Sequence, residues 1–348
     1  MSGRLLRLAC TATMAAQVAL APTSAAAAPE PGRSVSKLLT DLQGLYRQTE
    51  QATETYNATA EKLTAQRAEV KRLDRELASA RLALQGSRSD AGRLARQQYQ
   101  NSSNFSVYVR VLLARDPQQA LDEGHVIGRV AGERAATLDR LTGAEKRADT
   151  LARAARKALD TQLTLAERQK KQRDDVMKRL SEVERLLASL TPEQQTELSR
   201  LEQDGVAEAQ RRLTDAGTLG DDDRPASVEG GQAVRYALAQ IGKPYRWGAV
   251  GPASFDCSGL TSRAWARAGT PIPRTSQEQW ARLPHVPLNS LRPGDLVIYF
   301  PEATHVALYL GDGKVVQAPR TGETIKISPI AANPVLGAVR PDAAPRRL

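Results

Sequence analysis

The chain is poor in cysteine, in aromatic residues and in long apolar runs. Only 2 of its 348 residues are cysteine, and Phe, Trp and Tyr together make up 4%. The cysteine count excludes disulfide-rich and zinc-ribbon scaffolds. Beyond the N-terminus no run approaches the ~20 apolar residues that span a bilayer. Because so few aromatic residues cannot build one large globular core, we expect much of the chain to be elongated or disordered.

The N-terminus has the pattern of a targeting segment. A basic start, a short apolar stretch and a run of small residues make residues 1–28 typical of a secretory signal peptide, with an uncleaved anchor as the alternative. Cleavage would remove Cys10 and leave Cys257 as the single thiol, which excludes an internal disulfide. The net charge of +10 suits an anionic surface such as a cell wall. We therefore expect a secreted, wall-associated protein without a nucleic-acid partner.

Proline divides the chain into two regions. Residues 34–216 contain two of the 19 prolines, whereas residues 225–348 contain fourteen. Between them, residues 217–231 are rich in Gly and Asp, which is typical of a linker.

The region 34–216 is predicted to be a helical coiled coil. Narrow apolar seams with charged flanks predict helices over about 35–98, 105–115 and 117–214. Folding back at the breaks would give an antiparallel hairpin, and a parallel dimeric coiled coil is the alternative. The seam positions are Leu63, Val70, Leu73, Leu77 and Leu84 in the first arm, and Val176, Leu180, Val183, Leu187 and Leu190 in the second.

The region 225–348 is predicted to be a single α+β domain. Two helices, Val228 to Ile241 and Ser258 to Ala268, come first, and the second stops at Gly269. A series of short apolar segments follows, and such helix-then-strand order favours segregated layers. The predicted strands are Leu296 to Phe300, His305 to Leu310 and Lys314 to Gln317, with possible additions at Ile325 to Ile327 and Leu336 to Val339.

Cys257 lies where a loop enters the second of these helices. A helix N-terminus stabilises a thiolate through its free N–H groups and its dipole, and this lowers the thiol pKa. The neighbours Asp256 and Ser258 are polar, unlike those of a typical core cysteine. Its position alone leaves open whether Cys257 is a nucleophile or an inert buried thiol.

A thiol nucleophile benefits from a histidine base, and the chain has three histidines. His125 belongs to the coiled-coil region and His285 to a proline-flanked loop. His305 opens an apolar strand, where a polar residue needs a reason. Three scattered histidines and one cysteine do not make a recognisable zinc site, so no metal or cofactor is expected.

The turn after the His305 strand determines whether Gln317 can be a third member of the site. A loop of Asp312 and Gly313 alone would put Gln317 and His305 on opposite faces. A three-residue loop with left-handed Gly313 would place Gln317 opposite Ala307 and on the face of His305. Gln317 could then orient the imidazole. Otherwise it is an outward-facing strand residue.

Five motifs in one order resemble those of the NlpC/P60 cysteine peptidases, over about residues 225–340. They are Pro244-Tyr245-Arg246-Trp247-Gly248, Phe255-Asp256-Cys257-Ser258-Gly259-Leu260, Pro273-Arg274-Thr275-Ser276-Gln277-Glu278-Gln279, Leu291-Arg292-Pro293-Gly294-Asp295-Leu296 and His305-Val306-Ala307-Leu308-Tyr309-Leu310-Gly311. The resemblance implies a papain-like α+β fold. It also implies cleavage of peptidoglycan stem peptides, commonly between D-glutamate and a diamino acid.

The resemblance also implies roles for individual residues. The family nucleophile matches Cys257, its base matches His305 and its third polar residue, often histidine in the family, matches Gln317. Tyr245, Asp256 and Ser258 are the expected substrate-binding residues. Tyr245 could instead be a packed aromatic beside Trp247, and Asp256 could instead cap the helix.

The coiled-coil half also resembles those of secreted cell-wall hydrolases, in which it restrains or recruits the catalytic domain. We therefore expect peptidoglycan as substrate and a regulatory membrane or cell-division partner for the coil. The alternatives are a wall-binding scaffold without catalysis, and an amidase or acyltransferase of the same fold.

Overall fold

The computed structural model describes residues 34–101, 117–220 and 224–343. Its first part is an antiparallel pair of long helices, α1 (Val35–Asn101) and α2 (Pro117–Ala188). Gln66 Nε2 donates to the Ala158 carbonyl at 2.9 Å, and Arg88 NH2 donates to Glu145 at 3.2 Å, so the arms run in opposite directions. The predicted signal peptide and the predicted short helix over 105–115 lie outside the described residues.

The seam predicted for the two arms lies at their interface. Leu63 and Val176 are essentially inaccessible to solvent, and the remaining seam residues of the arms are buried or half-buried. This intrachain pairing confirms the hairpin that the heptads predicted. Within the residues that the structure describes, no helix is long and apolar enough to cross a membrane.

The predicted single helix over 117–214 is wrong, because the chain breaks after Ala188 and starts again as α3 (Pro192–Asp215). Thr191 caps the new helix: its hydroxyl accepts from the Gln194 N–H at 3.2 Å, and the Gln194 side chain accepts from the Thr191 N–H at 3.0 Å. Pro192, at the first helical position, has no N–H to continue a helix from α2.

The C-terminal part begins with three short helices and ends with a six-stranded antiparallel sheet. The sheet order is β1-β6-β2-β3-β4-β5. The helices are α4 (Val228–Leu238), α5 (Cys257–Arg267) and α6 (Ser276–Arg282), and the strands are β1 (His285–Val286), β2 (Leu296–Tyr299), β3 (His305–Gly311), β4 (Lys314–Gln317), β5 (Lys326–Pro329) and β6 (Val335–Val339). The α+β class is confirmed, and α6 and β1 are elements that the sequence patterns did not predict.

Both faces of the sheet are covered. One face packs on α4 and α5, around Leu260 and Trp265. The other face packs against Leu213 of α3 and against Leu219, which lies in the segment predicted to be a linker. The core of the domain predicted over residues 225–348 is therefore completed by residues that precede it in the chain.

The turn between β3 and β4 combines two features. Asp312 and Gly313 have φ of 52° and 64°, as in a two-residue type I′ turn. A bulge between Tyr309 and Gly311 then adds one residue to β3. The predicted three-residue loop is thus wrong in detail, although its left-handed Gly313 is confirmed.

The bulge has the same effect on side-chain direction as the longer loop would have. Leu308 pairs with Val316, and continuing this register by one residue places Ala307 opposite Gln317. Because alternate residues share a face, His305 and Gln317 lie on the same side of the hairpin. The predicted placement of His305 and Gln317 on one face of the hairpin is therefore confirmed.

Candidate active site

Cys257 is the first residue of α5, and Asp256 is its N-cap. Asp256 Oδ1 accepts from the Gly259 N–H at 2.6 Å, which fixes the start of the helix. At Gly259 a Cβ would lie 2.2 Å from the Ala249 carbonyl oxygen, so only glycine allows this close approach of helix and loop. Cys257 is 2% exposed and lies where the sequence predicted it, at a helix N-terminus.

Arg274 compensates the buried charge of Asp256. Its NH2 donates to Asp256 Oδ2 at 2.6 Å, and its NH1 donates to Asp256 Oδ1 at 3.0 Å and to the Ser258 hydroxyl at 2.8 Å. Asp256 is fully buried, and a bidentate guanidinium is the partner best suited to a buried carboxylate. Arg274 was present in the motifs, but no role was predicted for it.

His305 and Gln317 form a buried hydrogen-bonded pair. His305 Nε2 lies 2.7 Å from Gln317 Oε1, and both side chains are 3% exposed or less. An amide oxygen only accepts, so Nε2 carries the hydrogen and Nδ1 is the nitrogen left to exchange a proton. Gln317 therefore selects the tautomer of His305, and its orienting role in catalysis stays a prediction.

This geometry predicts unequal effects of two substitutions. If the pair serves the peptidase reaction that the family resemblance implies, His305→Ala should lower hydrolysis of a stem peptide by at least ~10³-fold, because it removes the candidate proton-transfer group. Gln317→Ala should lower it by only ~10–100-fold, because the imidazole remains but is no longer oriented. Steady-state kinetics of both purified variants measures the difference. Equal losses, with both proteins folded, would show that Gln317 does more than orient the base.

Helix α1 enters the cleft in front of Cys257. Oε1 of Glu54 accepts from the Ser258 hydroxyl at 2.7 Å and lies 3.8 Å from Cys257 Sγ. Oε2 of Glu54 accepts from the Ser276 N–H at 2.9 Å. Glu54 is 1% exposed and Cys257 is 2% exposed, so this contact is closed to solvent.

One helical turn earlier, Glu50 lies beside the candidate base. Its Oε1 is 3.2 Å from His305 Nδ1, an ion-pair contact rather than a directional hydrogen bond. Thus the nitrogen that would serve as base faces a carboxylate of α1. Because residues four apart lie on one helix face, Glu50 and Glu54 together span the site from His305 to Cys257.

Further α1 residues seal the same contact. Asn57 Nδ2 donates to Asp256 Oδ2 at 3.2 Å, and Tyr56 packs edge-on against Trp247 with ring centroids 5.2 Å apart. Thr53 is 1% exposed, and its buried hydroxyl has no hydrogen-bond partner. Sequence patterns did not predict this contact.

The closed cleft favours protonated groups. Burial, followed by the carboxylates of Glu54 and Asp256, raises the pKa of the Cys257 thiol well above its usual value. Burial and the nearby Asp256 raise the pKa of Glu54 to about 7. With α1 in place, the thiol is therefore held in its neutral, weakly nucleophilic form.

The pKa of His305 is also raised, but for a different reason. Burial alone would lower the pKa of its imidazole, but Glu50 and the Gln317 oxygen outweigh that effect and raise it. The contact with Glu50 therefore favours the protonated imidazole, just as the closed cleft favours the neutral thiol.

The remaining predicted residues divide into two groups. Tyr245 lies near Cys257: burial, then Cys257 and Asp256, raise the pKa of its phenol. His285 lies away from the site, stacked on Trp280 with its Nε2 2.8 Å from the Trp280 carbonyl oxygen. His125 is an exposed residue of α2. In the described part of the chain, no three His, Cys, Asp or Glu side chains are grouped to hold a metal ion.

Comparison with known proteins points to one family. Residues 242–337 match the model of the NlpC/P60 family. A "Probable endopeptidase" of Corynebacterium glutamicum is 43% identical over 116 residues, which cover 33% of this chain and 56% of that protein. The peptidoglycan endopeptidase RipA of Mycolicibacterium smegmatis is 38% identical over 121 residues, covering 30% and 24%. The chain thus spans about half, or less, of the length of these curated relatives.

Among solved structures, the NlpC/p60 domain protein RipD of Mycobacterium tuberculosis is 32% identical, covering 33% of this chain and 98% of that one, with a TM-score of 0.30. Its description is of a non-catalytic protein adapted to peptidoglycan binding.

Proposed function

Because the C-terminal part of the chain belongs to the NlpC/P60 family, we propose that the protein is a secreted cysteine endopeptidase that hydrolyses peptidoglycan stem peptides at the cell wall. One observation carries this proposal. Cys257 lies at a helix N-terminus, the His305–Gln317 pair is hydrogen-bonded, and both contact one turn of α1, Cys257 through Glu54 and His305 through Glu50. The expected substrate bond is that between D-glutamate and a diamino acid.

The reaction follows from these groups once α1 has left the cleft. Cys257 gives its proton to Nδ1 of His305, and the thiolate forms a bond to the scissile carbonyl carbon. Backbone N–H groups at the start of α5 stabilise the oxyanion. Protonated Nδ1 then gives its proton to the leaving amine as the C–N bond breaks. Water hydrolyses the thioester, and the thiol is restored.

The residues around Cys257 support an acidic substrate. The Ser258 hydroxyl and the Ser276 N–H hold the carboxylate of Glu54 beside the nucleophile. A γ-linked D-glutamate carries a free α-carboxylate three carbons away from its scissile γ-carbonyl. This carboxylate can use the same two donors, which is why we favour this bond.

We further propose that α1 restrains the enzyme. The helix places carboxylates against both the thiol and the imidazole, and it raises the pKa of each. A partner at the membrane or the division site that binds the helical hairpin would relieve the restraint.

Purified peptidoglycan provides the direct test. Muropeptides from wall treated with wild type and with a variant whose α1 is displaced are analysed by mass spectrometry. A new free amine on the diamino acid and a free γ-carboxyl on glutamate support the endopeptidase. Release of intact stem peptides from the glycan would indicate an amidase instead. Binding to wall without any cleavage by either protein would favour the scaffold alternative.

Docking of α1 should depend on pH. The pKa of Glu54 is about 7 with α1 docked and returns toward its ordinary value of 4.5 when the residue is exposed, so docking takes up a proton. Docking is then strongest below pH 4.5 and weakens as the pH rises through 7; the raised pKa of His305 acts in the same direction.

Alkylation of Cys257 measures this dependence. The rate in wild type is divided by the rate in a displaced-α1 variant, which cancels the thiol's own ionisation. This ratio should rise by at least about ten-fold from pH 5 to pH 7.5, and less in Glu54→Gln, which mimics the protonated carboxyl. A flat ratio in wild type would contradict proton-linked docking.

A further inference from the structure

Helix α3 contacts the catalytic part through satisfied polar bonds and apolar side chains. The Gln210 side chain bonds at both ends: Nε2 donates to the Gly313 carbonyl at 3.4 Å, and Oε1 accepts from the Ala331 N–H at 3.2 Å. Leu213 and Leu219 pack on the sheet against Tyr309 and its buried neighbours. This contact resembles the interior of a domain.

Helix α1 contacts the catalytic part in a different way. It brings two buried carboxylates into the cleft, Glu50 beside His305 and Glu54 near Asp256, together with the hydrogen bonds of Glu54 and Asn57, and the neighbouring Thr53 has a buried hydroxyl without a partner. Leu38 and Leu42 of α1 share an apolar cluster with Leu198 of α3; beyond this contact a cavity of about 1160 Å³ lies between the two helices and reaches Glu50 and Gln317, and a second of about 560 Å³ adjoins it. Water is therefore available to solvate these carboxylates as soon as α1 moves.

The boundary between the two kinds of contact is the break at residues 189–191. Helix α3 has its own capping box at Thr191 and Pro192 at its first position, so it keeps its N-terminus without α2. Helices α1 and α2 pack together in two apolar clusters, one around Leu42 and Val183 beside the break and one around Leu73 and Ala155 further along the arms. A change of backbone angle at 189–191 therefore moves α1 and α2 together.

Arg320 of the catalytic part lies where this part meets both α1 and α3. It pairs with Glu202 of α3 at 2.9 and 3.1 Å, whereas its guanidinium only stacks on the Tyr46 ring of α1, 4.3 Å from the centroid. If α1 leaves, Arg320 keeps both hydrogen bonds to α3. The charge of Arg320 thus stays paired in either state.

From these contacts we infer that α3 is a permanent part of the catalytic unit, and that the cleft opens when the α1–α2 hairpin swings away as one body about residues 189–191. The inference rests on the proposed restraint of the cleft by α1. It assigns α3 a structural role, although α3 continues the same helical region of the sequence.

Two backbone amides report separately on the two contacts. The Ser276 N–H is bonded to Glu54 of α1, and the Ala331 N–H is bonded to Gln210 of α3. Amide hydrogen exchange of the full chain is measured in wild type, in Thr53→Arg and in Thr55→Arg. Thr53 is buried and directly precedes Glu54, whereas Thr55 is exposed on the same helix turn, so the second substitution is the matched control.

We expect Ser276 to exchange at least about ten-fold faster in Thr53→Arg than in Thr55→Arg, with Ala331 changing less than about two-fold. In wild type, which needs no substitution, Ser276 should already be at least about ten-fold less protected than Ala331. Equal acceleration of both amides would show that α3 leaves with the hairpin. No acceleration of Ser276 would show that the hairpin does not leave.

The position of the hinge has its own test. Thr191→Ala combined with Pro192→Ala removes the cap and the proline, and it allows α2 to continue into α3. These changes should reduce the acceleration of Ser276 by at least about three-fold. An unchanged acceleration would place the hinge elsewhere. Hydrogen exchange requires no turnover. A protein without peptidase activity would contradict the proposed function in the digestion test, and its exchange rates would still test the movement of the hairpin.

Discussion

Cys257→Ser should lower hydrolysis of stem peptides by at least ~10³-fold while the protein stays folded. A hydroxyl near neutral pH is a far weaker nucleophile than a thiolate, and no other cysteine follows residue 257 in the chain. Serine fits the space of Cys257, which lies against Leu260 and Phe255 in the core. Thermal unfolding monitors the fold, and mass spectrometry of products monitors the reaction.

The comparison is best made in a chain that also carries Thr53→Arg, so that restraint by α1 does not hide the loss. Cys257→Ala in the same background is the second variant. If the serine enzyme retained full activity with unchanged product masses, the cysteine mechanism would be excluded. If only the alanine enzyme were inactive, serine would be acting as a substitute nucleophile.

Thr53→Arg should raise the activity of the full chain on a soluble stem peptide by at least about ten-fold. Thr53 is 1% exposed, directly before Glu54 on α1, and its hydroxyl has no hydrogen-bond partner. An arginine side chain would be too large for this buried position, and desolvating its charge costs several kcal/mol, so α1 is driven out. Initial rates of purified proteins at one concentration measure the effect.

Thr55→Arg should leave the rate near that of wild type, since Thr55 is exposed two residues further along. Both variants add one arginine to the same helix turn and remove one threonine. Equal activation of both would attribute the effect to the added charge rather than to release of the cleft. An unchanged rate in Thr53→Arg, together with an exposed Ser276 amide, would show that α1 leaves without limiting catalysis.

Local patterns predicted much of the fold. The heptads defined the two arms, because Leu63 and Leu73 face the partner helix at 3.5-residue spacing. Apolar β-branched and aromatic runs defined the central strands. The alternation of side chains along the two strands also predicted that His305 lies beside Gln317, although the turn that achieves this differs from the predicted one. Each of these features depends on residues close together in the sequence.

The features that were not predicted depend on distant residues. Glu54 and Ser258 are 204 positions apart, and nothing local shows that α1 lies in the cleft. One signal was available: residues 47–62 contain no aliphatic side chain larger than alanine, although the seam is apolar on either side. An interrupted seam indicates a different partner for that face. The break at Pro192 was hidden because the heptad spacing continues up to Leu190.

The fit of α1 into the cleft limits how its length can vary among related proteins. Each added residue rotates an α-helix by ~100°, so a single insertion between Tyr46 and Glu50 would turn one end of the helix away from its neighbours. Either the cleft would lose Glu50 and Glu54, or Leu38 and Leu42 would leave the joint with α2. Beyond Leu63, in contrast, the arm can lengthen by whole heptads if α2 lengthens equally. We therefore expect relatives to differ widely in hairpin length while the spacing from Leu38 to Asn57 stays fixed.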